Sequence, residues 1–136
     1  MDIEESLQQF GIVPEKAALP QVRALLAHET ELERAGLPRS DDLALLCCVQ
    51  LFSQGEVEDC LLIWEAKRSS FDLYSYLDVE LMCGAGLEAT KNYLATCGAP
   101  EAAAALAHIR DREGGSRFRE FSIAGHLAYY RRYFGV

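Results

Sequence analysis

Apolar residues recur at three- and four-residue spacing along most of the chain, and no stretch sustains the strict alternation of a strand. Ile3, Leu7 and Phe10 mark a helix over 2–10, with acids in its first turn and Gly11 as its stop. Pro14 and Pro20 each suit a first helical turn, where a missing N–H costs nothing, so a short turn over 14–19 should lead into a helix over 20–35. Val22, Leu25, Leu26 and Leu32 form the apolar stripe of that helix, and Glu29 falls near its middle. After the break at Gly36-Leu37-Pro38, Ser40 or Asp41 should cap a helix over 42–53 that is apolar on most faces and therefore central. A turn at Gln54-Gly55 makes the next helix, 56–68, its antiparallel neighbour. Further helices are expected over 87–96, 101–112 and 123–134, with an exposed connector over 117–121. Together these features predict an all-α fold, a single domain over 1–136 of seven or eight short helices stacked as antiparallel pairs, either α-solenoid-like or an irregular bundle.

The segment 73–83 breaks the pattern. It is apolar almost all round, which predicts a helix sandwiched between others, yet Asp78 sits inside it. Treated as one α-helix, it sends Asp78 and Glu80 to opposite faces and excludes a carboxylate pair of the glycosidase kind. An unpaired buried carboxylate costs several kcal/mol, so Asp78 is expected to pair with Lys67, Arg68 or a backbone N–H. Trp64, Lys67, Arg68 and Asp78 are the anchors expected of this region. Presentation of Asp78 in a groove to a cationic partner is the alternative.

Charge divides the chain. The net charge is −8; residues 1–66 carry 13 acids and 4 bases, and residues 67–136 carry 8 acids and 9 bases. Phosphates would be repelled by the first half, which argues against nucleic acid and fits a basic partner. Five cysteines without a CxxC pair read as reduced core thiols of a cytoplasmic protein, and the acidic start is unlike a signal peptide. The apolar runs are too short for a bilayer.

No catalytic signature emerges. His28, His108 and His126 lie on three helices without metal-ligand spacing, so neither a metal site nor a cofactor is expected. The serines lack a nucleophile-elbow context, and Gly84-Ala85-Gly86 is a helix stop, not a phosphate loop. On the last helix Ile123, Leu127, Tyr130 and Phe134 form a core stripe, while His126, Tyr129 and Tyr133 line one flank with interface chemistry.

The stretches IWEAKRSSFD (63–72), LDVELMCGAGLEATKNYL (77–94) and LAYYRRYFG (127–135) resemble small acidic helical proteins of bacteria, among them immunity proteins of secreted toxin systems. The resemblance implies a cytosolic, non-enzymatic protein that binds a cognate toxin domain with a basic surface and occludes its active site. Glu29, Glu33, Asp41 and Asp42, or the region of Asp72, Asp78 and Glu80, would supply the acids for such an interface. A second reading is a helical-repeat adaptor or homodimer built on the flank of His126, Tyr129 and Tyr133. A third is a small enzyme or nucleotide-binding domain using Lys67, Asp72 and Asp78.

Overall fold

A computed structural model describes every residue except Arg39 and Ser40, and of Asp41 it describes only the backbone. The expected cap at Ser40 or Asp41 and the proposed contact by Asp41 therefore lie outside the described residues. Among those described, the fold is all-α: nine α-helices and two 3-10 turns, without a strand. The helices are α1 (Ile3–Phe10), α2 (Leu19–Arg34), α3 (Asp41–Gln54), α4 (Asp59–Lys67) and α5 (Phe71–Tyr76). They continue as α6 (Leu87–Thr96), α7 (Ala102–Glu113), α8 (Ser116–Arg119) and α9 (Ile123–Phe134).

The centre is α3. Every residue from Leu43 to Phe52 is buried, as expected for a helix apolar on nearly all faces. It touches α1, α2, α4, α5 and α9, and the 3-10 turn Val79–Cys83. A solenoid repeat touches only its sequence neighbours, so the arrangement is a bundle wrapped around one helix. Gln50 is the one amide fully buried in that core. Its Nε2 donates to Ser6 Oγ at 3.1 Å and to the Gly11 carbonyl at 2.8 Å, tying α1 and its stop to the centre.

Two expected elements differ. The segment 73–83 is not one helix. It is α5, then an extended step at Leu77 (ψ 111°) and Asp78 (ψ 152°), then the 3-10 turn Val79–Cys83. The cause is local capping. Asp78 Oδ1 accepts from the Leu81 N–H at 3.3 Å, as an N-cap aspartate does, and Lys67 Nζ reaches the carbonyls of Tyr74 (2.6 Å) and Leu77, answering the open end of α5. Meanwhile the connector over 117–121 contains a helix of its own, α8. The added α8 raises the number of α-helices among the described residues to nine, above the seven or eight expected.

Gly84 follows the 3-10 turn and lies against the backbone of α3. A Cβ there would come within 2.6 Å of the Phe52 carbonyl oxygen. The glycines after Cys83 thus do more than stop a helix; the first lets the turn press onto the core.

Candidate functional site

The break at Leu77-Asp78 turns two carboxylates toward α9. Asp78 Oδ1 lies 3.0 Å from His126 Nε2, and Asp78 Oδ2 accepts from the Tyr130 hydroxyl. Arg117 of α8 puts Nη2 at 2.8 Å from Glu80 Oε2 and 3.8 Å from Asp78 Oδ2. Asp78 and Glu80 therefore face a common place, which corrects the opposite-face phasing of a continuous helix: a 3-10 turn advances its side chains differently. Of the partners expected for Asp78, the structure supplies a backbone N–H, that of Leu81, and neither Lys67 nor Arg68. Lys67 spends its ammonium on backbone carbonyls, and Arg68 pairs with Glu65 at 2.8 Å.

Burial opposes ionisation of Asp78, but hydrogen bonds from His126 and Tyr130 and the charge of Arg117 outweigh it and hold the carboxyl below its usual range. Glu80 is pushed the other way, by burial first and then by the charge of Asp78 beside it. Glu80 is only 2% exposed, and its Oε1 has no hydrogen-bond partner. A cleft of about 420 Å³ opens over this group, bounded by Asp78, Glu80, Arg117, Phe121, His126 and Tyr129.

A second cluster adjoins it. The hydroxyls of Tyr76 and Tyr133 both donate to Asp42 Oδ1, the latter at 3.1 Å, and lie 2.6 Å from each other. Burial, and then the bond to Asp42, raises the Tyr76 phenol far above its usual value. Tyr129 and Tyr133 are 52% and 48% exposed, so this part of α9 offers aromatic rings to solvent beside the carboxylates.

On the other side of Asp78 lies a small polar pocket with Lys67, Tyr74, His108 and Arg112 in its wall. Burial lowers the Lys67 ammonium to about 8, with the charges of Asp78 and Glu80 drawing it partly back. His108 is pushed down to about 4 by burial and by Lys67. Its Nδ1 meets the Tyr74 hydroxyl at 3.2 Å, and its ring stacks at a tilt against Trp64, 5.1 Å between centroids.

Of the residues singled out from the sequence, Asp42, Asp78, Glu80, His126, Tyr129 and Tyr133 come together along α9. Asp72 is exposed in the first turn of α5, where a negative charge suits the helix dipole. Glu29 is buried at 6% exposure on α2 and raises the Cys47 thiol, itself pushed to about 12 mainly by burial; Glu33 is half-buried on the same helix. Asp59, expected only to complement a helix dipole, forms a two-bond pair with Arg23 of α2 at 2.8 and 3.1 Å.

Three members of the site were not anticipated. Arg117 falls in the stretch expected as an exposed connector, and Tyr130 reads from the sequence only as a core residue. Tyr130 stands four residues after His126, and that spacing on a helix places both on one face, so this pairing was available. Nothing in the local sequence of Tyr76 points to Asp42 or Tyr133. Comparison with known proteins gives no matching family model, curated protein or solved structure.

Proposed function

We propose that the chain is a non-enzymatic protein-binding protein of the immunity type, which covers the active site of a toxin domain with a basic surface. The observation that carries this reading is the shared face of α9: exposed Tyr129 and Tyr133 beside Asp42, Asp78 and Glu80. Rigid aromatic rings supply contact area at little entropic cost, and carboxylates among them select for Arg or Lys on a partner. The net charge of −8 acts at longer range, drawing a basic partner in quickly and most strongly at low salt. A second copy of the chain fits this face less well, because a two-fold contact would set acid against acid.

Co-expression with a toxin encoded beside it tests the reading: growth is rescued by the native chain and lost with Tyr129→Ala/Tyr133→Ala. Truncation of Tyr129 alone should weaken the complex by about 2 kcal/mol, roughly 30-fold, while leaving the melting temperature of the free chain nearly unchanged. Self-association as the sole interaction would overturn the proposal in favour of a homo-oligomeric scaffold.

A further inference from the structure

We propose that Asp78, Glu80 and His126 form a binding site for a divalent transition-metal ion, entered through the cleft between the 3-10 turn, α8 and α9. One ligand atom from each residue lies within 4.8 Å of the other two. His126 Nε2 and Asp78 Oδ1 are 3.0 Å apart, the separation of neighbouring ligand atoms on an octahedral ion with bonds of about 2.1 Å. Glu80 lies within 4.8 Å of both, and rotation of its side chain closes the set.

Arg117 accounts for the two carboxylates incompletely. It makes one ion pair with Glu80 at 2.8 Å and stands 3.8 Å from Asp78, and its side chain is 68% exposed. Glu80 Oε1 is left buried without a donor, on a side chain only 3% exposed. A buried anionic oxygen in that condition is costly, and a cation arriving through the cleft relieves it in a way that an arginine held by a single ion pair does not. The Tyr130 hydroxyl already fixes the second oxygen of Asp78, which orients the carboxylate as an outer-shell partner would.

Two carboxylates and one imidazole suit manganese, iron or zinc in the divalent state and disfavour calcium, which prefers oxygen alone. On binding, His126 turns its Nε2 lone pair to the ion and carries its hydrogen on Nδ1, and the Arg117 guanidinium swings to solvent. This inference does not depend on the partner reading.

Manganese is the probe, since as a hard ion it discriminates against the five thiols. Titration of the full chain with Mn²⁺, followed by its electron spin resonance, should show one saturable site with ¹⁴N modulation of the spin echo from a coordinated ring. Glu80→Gln and His126→Gln should each remove saturable binding, and His126→Gln should remove the nitrogen signature. Arg117→Met should tighten binding about fivefold, because a competing positive charge near 4 Å is gone. Arg117 is exposed, so this last variant decides the matter even if the other two fail to fold. Absence of saturable binding by both the native chain and Arg117→Met at millimolar Mn²⁺ would overturn the proposal. So would binding that persists in folded Glu80→Gln and His126→Gln proteins.

Discussion

Asp78 accepts from the Leu81 N–H and the His126 ring through one oxygen, and from the Tyr130 hydroxyl through the other. Asp78→Asn keeps the volume but places an amide N–H₂ where one of those donors points and removes the charge facing Arg117. Charge-assisted hydrogen bonds are worth more than neutral ones, so the loss should be about 2 kcal/mol or more, read as a shift in the urea midpoint at constant slope. His108 governs a different response. Its folded-state value near 4 lies below the ordinary 6.5, so an unfolded chain takes up a proton that the folded chain refuses. The stability it contributes is complete above pH 6.5 and declines as the pH falls from 6.5 toward 4. His108→Gln should flatten that decline. Melting temperatures of both proteins across the interval, taken as a difference, cancel the other titrating groups.

At the scale of elements, stops were the readable features. Gly11 reads as a stop and ends α1 at φ 69°, while the structure adds caps at Asp2, Ser70 and Ser122 and a left-handed Gly135 (φ 74°) at the end of α9. The helix over 42–53 announced its central place because its sequence has no polar face. What periodicity concealed was the break at Leu77-Asp78. Leu73, Leu77 and Leu81 keep helical spacing through it, and the residue that ends the helix is also a plausible buried charge. Its resolution depends on Lys67, ten residues before Leu77, and local pattern carries no record of such a partner. Gly84 belongs to the same junction. Gly84→Ala should force the turn off α3 and cost about 2 kcal/mol or more, with hydrogen exchange quickening in the turn Val79–Cys83 before the rest of the core.

For the whole molecule, the all-α class follows from spacing alone, whereas the bundle topology does not. Whether α9 returns to the centre is decided by side chains from distant segments, Asp42 and Asp78 among them. The acidic character of the first half was also legible, but its placement was not: some of those acids are spent inside, as Glu29 and Asp59 are. The face of α9 instead draws its carboxylates from two separated stretches, Asp42 and the turn that holds Asp78 and Glu80. No helix among the described residues is long and apolar enough to cross a membrane. The two functional proposals are tested separately, one by partner binding and one by the manganese signal.

Asp78 meets His126 and Tyr130 across 48 and 52 residues of chain. During synthesis the two acids of the 3-10 turn emerge long before α8 and α9, so until those helices arrive they stand side by side with neither arginine nor imidazole to answer them. Closing a loop of that length has an entropic cost, and relief of the repulsion between the waiting carboxylates offsets part of it. Salt screens the electrostatic gain and leaves the entropic cost untouched. The docking of α9 is thus the event at which this chain's assembly senses the ionic strength around it.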